Sequence, residues 1–265
     1  MSYRFTILGC GSSGGVPRIG MTWGACDPNN PKNRRLRCSA LFEKFGNGDC
    51  TSVLIDTSPD FRQQILSVRL MALDGVLYTH DHADHTHGID DLRMVAFAMK
   101  KRVDVYFDRA TGKSLRERFA YCFETPEGSA YRPILNGFDI DGIAPVAIHG
   151  PGGTLSAVPI LQQHGDITTL GYRVGNLAYS PDISGIPEAS VPLLRGLDVW
   201  VVDALRYTPH DSHFNVKQAL AWVERLQPKR TIFTHMTSEL DYETLRRELP
   251  ANVEPGYDGM QITFS

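Results

Sequence analysis

Cysteine is scarce in this chain: Cys10, Cys26, Cys38, Cys50 and Cys122 are the whole supply, and no two form a Cys-x-x-Cys pair. An odd number of scattered thiols speaks against a disulfide framework and suggests a reducing compartment. Long apolar runs are lacking too. None could cross a bilayer, and the opening Met1-Ser2-Tyr3-Arg4-Phe5 has no apolar signal core. The expected location is therefore the cytoplasm, with no membrane partner. Charge of one sign is also missing, since 27 Lys and Arg face 30 Asp and Glu for a formal net charge of −3. That balance provides no broad basic surface for nucleic acid. There is no low-complexity tract and no short repeat, and 265 residues suffice for a large core in a single domain spanning 1–265.

What is present is concentrated in six residues. His80-Asp81-His82-Ala83-Asp84-His85 follows the apolar run Gly75-Val76-Leu77-Tyr78, so a strand should deliver three imidazoles and two carboxylates into one small volume. Imidazole nitrogen and carboxylate oxygen suit a borderline divalent cation, zinc first, with manganese or iron also admitted. His80 and His82 are two apart and can point the same way from extended backbone. Asp84 and His85 come after a bend and must diverge from that pair. Two side-by-side metals explain such a division, because a close pair can clamp a reacting phosphoryl or acyl oxygen.

The His-x-His-x-Asp-His pattern resembles the signature of the metallo-β-lactamase superfamily, and the resemblance runs along nearly the whole chain. Ile7-Leu8-Gly9-Cys10-Gly11-Ser12-Ser13-Gly14-Gly15-Val16-Pro17 is similar to the first strand and glycine loop of the branch that contains PhnP and tRNase Z. Leu54-Ile55-Asp56-Thr57 is similar to that superfamily's early strand ending in aspartate, and Gly256-Tyr257-Asp258-Gly259-Met260 to a closing PhnP-type segment. Gln163-His164-Gly165, Tyr179-Ser180-Pro181-Asp182 and Phe233-Thr234-His235-Met236 fall where later ligands are expected. The resemblance implies that His80, His82 and His164 hold one metal, that Asp84, His85 and His235 hold the other, and that Asp182 bridges them. Taken singly, His164 reads equally as a surface histidine, and Asp182 after Pro181 as a turn or helix cap.

Other positions complete or qualify this picture. PhnP-type proteins often add a structural zinc bound by cysteines after the glycine loop and by a late histidine. Here Cys26 is the only thiol of that stretch and Ser238 stands in place of the histidine, so no structural zinc is expected. Gly9-x-Gly11-x-x-Gly14 satisfies a dinucleotide-binding pattern, but Gly15, Pro17 and Gly20 follow where a helix would have to begin. A tight turn presenting backbone N–H groups to an anionic substrate is the better reading. His213, in Ser212-His213-Phe214-Asn215, falls where PhnP-like enzymes place a histidine beside the metals, which implies a proton donor to the leaving oxygen; a helix cap or surface histidine is the alternative. Arg93 offers a phosphate contact or an exposed arginine. His87, His149 and His210 receive no role, and the irregular loop 21–37 could cover the site, contact another subunit of a homodimer, or be solvated.

Hydrophobic spacing predicts strands at Arg4–Gly9, Ser39–Lys44, Ser52–Thr57, Gly75–Thr79, Asp104–Phe107, Leu155–Ile160, Thr169–Val174, Leu177–Ser180, Asp198–Asp203, Arg230–Thr234 and Gln261–Phe264. Helices are predicted at Pro59–Val68, Asp91–Met99, Thr111–Cys122, Pro187–Arg195, Val216–Leu226 and Tyr242–Leu249. This mixture, with the resemblance, implies an α/β protein: an αββα four-layer sandwich with its site at one edge. The implied function is a binuclear metal-dependent phosphodiesterase in which a metal-bridged hydroxide attacks phosphorus. Asp84 would bind a metal and orient the hydroxide, Asp56 would support the ligand shell, and His213 would donate the proton. Small phosphate esters or nucleotides, above all ribose cyclic phosphates and cyclic nucleotides, are the implied substrates. Two alternatives stay open. One is a tRNA 3′-processing endonuclease of tRNase Z type, whose long basic arm has no counterpart here. The other is a nucleotide- or metal-binding protein without turnover.

Overall fold

In the computed structural model, which describes residues 2–265, the chain forms two seven-stranded sheets. The first sheet takes β1 (Ser2–Gly9), β2 (Ser39–Gly46), β3 (Asp49–Ile55), β4 (Gly75–Leu77), β5 (Val103–Asp108) and β6 (Leu135–Ile140) in spatial order. The second runs from β7 (Val146–Ile148) through β8 (Leu155–His164), β9 (Ile167–Val174), β10 (Leu177–Ser180), β11 (Val199–Asp203) and β12 (Arg230–Thr234) to β13 (Val253–Pro255). The last strand, β14 (Gln261–Phe264), returns to pair antiparallel with β1. Each sheet begins as an antiparallel meander and ends as a parallel run, β3 to β6 in one and β10 to β13 in the other. Parallel strands align their carboxyl ends along one edge, and that alignment builds the site.

Alternation along the strands sorts side chains between two cores. Phe5, Ile7, Phe42, Val53, Ile55 and Leu77 meet residues of the second sheet such as Tyr172, Tyr179 and Trp200 in the inner core. Their neighbours Leu8, Leu41, Leu54 and Val76 point the other way and pack with Val105 under outer helices. Those helices are α1 (Phe61–Val68), α2 (Ala83–Thr86), α3 (Leu92–Met99), α4 (Arg109–Arg118) and α5 (Ala120–Phe123), while α6 (Val216–Leu226) and α7 (Tyr242–Glu248) cover the second sheet. Sheets whose two faces are both apolar must be covered on both, and the αββα layering follows. No helix is long and apolar enough to cross a membrane among the described residues.

Several expectations need correction. The single helix expected over Thr111–Cys122 is two, broken at Phe119, whose φ of −126° is not helical. Only a 3₁₀ turn, Val191–Leu194, forms inside the expected helix Pro187–Arg195, because Pro187 and Pro192 withhold donors from an α-helical ladder. The strands β6, β7 and β13 were not expected. Two of them are three residues long and β6 is a partly exposed edge strand, so pairing rather than periodicity defines them. In contrast α6 matches its expected bounds. Val216, Ala219, Val223 and Leu226 bury one face, and Asn215 and Gln218 close a reciprocal capping box at its start.

Candidate metal centre

Six strand ends contribute to one edge. Asp56 follows β3, Thr79 and His80 follow β4, His164 ends β8, Asp182 follows β10, Asp203 ends β11 and His235 follows β12. Asp56 and His235 leave their strands with φ of 61° and 55°, a left-handed conformation uncommon for residues other than glycine. Such turns hold a side chain at the strand terminus, and strain of this kind collects at functional sites. The motif bends after His82, where α2 begins, so that Asp84 and His85 leave in a different direction from His80.

The seven expected ligands converge. His80, His82, His164 and Asp182 bring one donor atom each within 4.8 Å of one another, and so do Asp84, His85 and His235. Asp182 reaches into both sets. Its Oδ1 is 3.0 Å from His85 Nε2, and its Oδ2 is 3.5 Å from His235 Nε2, 3.7 Å from His164 Nε2 and 3.9 Å from His80 Nε2. Asp84 Oδ2 lies 3.5 Å from His235 Nε2 and 3.6 Å from His85 Nε2.

A second layer of hydrogen bonds sets which nitrogen faces inward. His85 Nδ1 donates to Asp56 Oδ2 at 2.7 Å, which turns Nε2 toward the centre. Asp56 also accepts from Thr79 N and Thr79 Oγ1, both at 2.8 Å, and Thr79 Oγ1 in turn accepts from His80 Nδ1 at 2.9 Å. His164 Nδ1 donates to the Ser212 carbonyl, leaving its Nε2 3.3 Å from His82 Nδ1. With its hydrogen on Nδ1, His164 presents the lone pair of Nε2 toward the His82 ring.

The donor set fits cations. His80 Nε2 is buried without a hydrogen-bond partner, and His85 Nε2 and Asp182 Oδ1 are buried with no well-aligned partner beyond their own 3.0 Å contact, an arrangement that costs free energy unless something electrophilic lies between them. Burial, reinforced by the neighbouring rings, holds His80 well below the ordinary imidazole pKa, and burial pulls His164 down to about 4. Burial disfavours the carboxylate of Asp182, but His235 and His85 outweigh it and hold the group well below its usual range. Neutral imidazole beside ionised carboxylate is the form that binds a divalent ion. His85 behaves oppositely. Burial favours its neutral form, yet Asp182, Asp84 and Asp56 together raise it well above 6.5, the response of a nitrogen donor crowded by carboxylates.

The remaining residues sort clearly. His213 joins the cluster, with its Nδ1 donating to Asp203 Oδ2 at 2.7 Å and its ring stacked 4.7 Å from His235. That leaves Nε2 facing the centre, 3.9 Å from Asp182. Asp203 was missed by sequence reasoning. Its signal was Trp200-Val201-Val202-Asp203, an apolar strand ending in aspartate like Leu54-Ile55-Asp56. Arg93 does not join: it pairs with Asp90 and lies 4.6 Å over the Tyr131 ring. His87 bonds to Arg118, and His149 to Thr154, while His210 packs 5.1 Å from His213. Loop 21–37 is tied to its own chain. Asn33 bonds Asp241, and Cys26 Sγ faces the Ser238 and Leu240 carbonyls with the buried Arg35 guanidinium 3.8 Å away.

Comparison with known proteins agrees with this geometry. The family described as β-lactamase superfamily domain matches residues 51–236. The crystal structure of a diphosphatase from the PhnP family superposes with a TM-score of 0.88 at 36% identity, over 100% of this chain and 98% of that one. Zinc-bound PqqB from Methylobacterium extorquens (TM-score 0.75, 19% identity, 98% and 99% covered) and the short form of human tRNase Z (0.61, 16%, 98% and 98%) share the fold alone. An octanoyltransferase of Porphyromonas gingivalis is 30% identical over 261 residues, which are 97% of this chain but 51% of that protein. The chain thus spans about half the length of the curated relative it matches. With its crowded histidine and aspartate edge, the chain belongs to the β-lactamase superfamily, on its PhnP-like branch.

Proposed function

We propose that the chain hydrolyses small phosphodiesters at a two-cation centre. His80, His82 and His164 hold one cation, Asp84, His85 and His235 the other, and Asp182 lies on both. The observation that supports this most strongly is the burial of His80 Nε2, His85 Nε2 and Asp182 Oδ1 at the meeting of the two sets, where the only close contact among them is the 3.0 Å between His85 and Asp182. Zinc is the favoured ion for such nitrogen-rich donors, with manganese second. A bound pair would neutralise charge on phosphoryl oxygens and acidify an attacking water.

The protein's own groups supply the rest. Asp84, half held by His235 and His85, has an oxygen available to accept from the attacking water and orient it. His213 Nε2 faces the centre and delivers a proton to the departing oxygen, while Asp203 holds the ring from behind through Nδ1. Asp56 fixes His85 and, through Thr79, His80. A third, structural cation is not part of this proposal, because the Arg35 guanidinium beside Cys26 repels one.

Substrates in this reading carry phosphorus with two bridging oxygens: ribose cyclic phosphates, cyclic nucleotides, or a linkage whose second oxygen belongs to another phosphate. The last is the bond type suggested by the PhnP-family diphosphatase. Five free thiols, four of them buried, support a cytoplasmic setting. A second copy of the chain is the partner proposed for the exposed side chains of Leu66, Met71, Met94 and Phe97; a monomeric mass in light scattering would remove it. The test of function is a hydrolysis screen of metal-loaded protein against cyclic diesters, linear diesters, substituted diphosphates, octanoyl thioesters and pre-tRNA. Small phosphoryl substrates should lead. Preferred thioester cleavage would favour the activity suggested by the octanoyltransferase relative, and accurate pre-tRNA trimming would favour the tRNase Z reading.

A further inference from the structure

The loop between β11 and α6 carries more than His213. Its neck is closed by two backbone bonds, Leu205 N to the Phe214 carbonyl at 2.9 Å and Val216 N to the Arg206 carbonyl at 3.0 Å. A loop pinned at its ends holds the residues at its top in fixed places. Arg206 braces it from within, Nε donating to the Thr208 carbonyl at 3.3 Å and Nη2 to the Pro209 carbonyl at 2.8 Å. That guanidinium has no ion-pair partner among the described residues, and Asp211 is the one acid of the loop.

His210 is exposed at the top of this loop. Ser212 N donates to its Nδ1 at 3.2 Å, and Ser212 Oγ lies at the same distance. A backbone N–H can only donate, so Nδ1 is the accepting nitrogen and the hydrogen sits on Nε2. Partial burial, with His213 and Arg206 nearby, holds His210 below the ordinary imidazole pKa, so the ring is neutral near pH 7. Its Nε2–H has no protein acceptor among the described residues. Ser212 also ties His210 to the centre, because its carbonyl accepts from His164 Nδ1. The β8–β9 turn backs Ser212 so closely that a side chain at Gly165 would meet its Cβ at 2.9 Å. Three imidazoles therefore step outward from the centre. His213 stacks 4.7 Å from His235, and His210 lies 5.1 Å beyond His213.

We propose that His210 is a specificity residue whose Nε2–H binds an anionic oxygen on the leaving group, which favours substituted diphosphates over cyclic diesters. The inference rests on the phosphodiester reading above. With phosphorus at the centre and His213 at the departing oxygen, the departing group extends past His213, where the next ring is His210. In a diphosphate that group is itself a phosphate, and its free oxygens accept from a donor placed there. Water adds to one phosphorus and gives its proton to Asp84. The bond from that phosphorus to the bridging oxygen breaks, and the bridge leaves with the proton from His213, so two phosphate monoesters result. In a cyclic diester the departing oxygen stays tethered to the sugar and brings no anionic oxygen to His210. Arg206 offsets the charge of Asp211 on this side, and Tyr207 does not compete, since its hydroxyl donates to Glu248 Oε2 at 2.6 Å.

The test compares metal-loaded wild type, His210→Leu and His210→Gln on diadenosine diphosphate, the methyl ester of adenosine 5′-phosphate and adenosine 2′,3′-cyclic phosphate. His210→Leu should lower the ratio of kcat/KM for the diphosphate over the methyl ester roughly tenfold, the loss expected for a hydrogen bond to a charged group. His210→Gln, whose amide can place an N–H where Nε2 stood, should recover most of that ratio. Calorimetric binding of the methylene-bridged analogue of the diphosphate should weaken and recover in the same order, with equal metal content in all three proteins. An unchanged ratio would overturn the proposal, as would a wild type that cleaves the cyclic ester and spares the diphosphate; both leave the phosphodiester reading standing. Loss of a cation in His210→Leu would also overturn it, since His210 would then act through Ser212 on His164. A wild type that cleaves none of the three would remove the phosphodiester reading and this inference with it.

Discussion

At the scale of single residues, position around the centre separates the groups proposed to hold cations from the one proposed to move a proton. His213 has its Nδ1 committed to Asp203, so His213→Ala should keep both cations and slow turnover by roughly 10²–10⁴-fold. The loss should be largest for diesters with a poor leaving alcohol and small for nitrophenyl esters, whose leaving group needs no proton. A uniform loss, or a missing metal, would make His213 a ligand, and its inclusion in a donor group with Asp182 and His235 makes that outcome concrete. Asp203→Asn keeps an acceptor but removes the charge behind the ring. It should lower kcat by about 10–100-fold, the usual cost of losing a supporting partner, with KM little changed; a change in KM alone would deny the positioning role. His164→Ala and Asp182→Ala should instead reduce metal occupancy and damage every substrate alike, as elemental analysis of the same preparations would show.

At the scale of elements, two joints can be tested without touching the centre. The Asn215–Gln218 box starts α6 immediately after His213. Asn215→Ala should cost about 1 kcal/mol and lower Tm by about 2–4 °C, and a larger drop would mean that the cap also holds the His213 loop. The Asp258 carboxylate joins the end of β1 to the Arg34–Arg37 segment through Cys10 N and Leu36 N. Burial raises its pKa from the ordinary 3.8 to about 7. The folded state therefore binds its proton more tightly than the unfolded state does. The stabilisation is complete below about pH 4 and fades as pH rises toward 7. Denaturation of wild type and Asp258→Asn from pH 4 to 8 should show the wild type losing ground relative to the variant across that window. A gain with pH would mean that the two backbone donors outweigh burial.

At the scale of the whole molecule, the centre draws on both sheets, so cation binding should be linked to global stability. Removing the cations with a chelator should abolish hydrolysis and lower Tm, and re-addition should restore both. Saturation at a hundredfold excess over Kd is worth about 2.7 kcal/mol per site. An unchanged Tm after removal would mean that the histidine cluster is held by the fold alone. Elemental analysis should find two cations per chain; a third, bound at Cys26, would contradict the role given to Arg35.

How much of this could be read in advance depended on how local each feature is. His80 through His85 was legible because five donors within six positions need no partner from elsewhere. The face-sorting of β1 to β4 and the apolar stripe of α6 were legible because burial imposes a period on neighbours in sequence. His164, Asp182, His213 and His235 were legible only through their order in a resembling family, since a lone histidine or aspartate has no local signature. Asp203 escaped for that reason, although Asp56 had the same pattern and was noticed. The edge strands β6, β7 and β13 escaped because pairing across the sheet defines them. By itself the sequence determined which chemistry was available, nitrogen and oxygen donors on a chain that alternates like a covered sheet. Only tertiary structure decided which donors share a point and which ring nitrogen faces inward. The physical reason is that satisfaction of a buried polar group depends on atoms brought from distant strands by parallel pairing, and no window of sequence contains them.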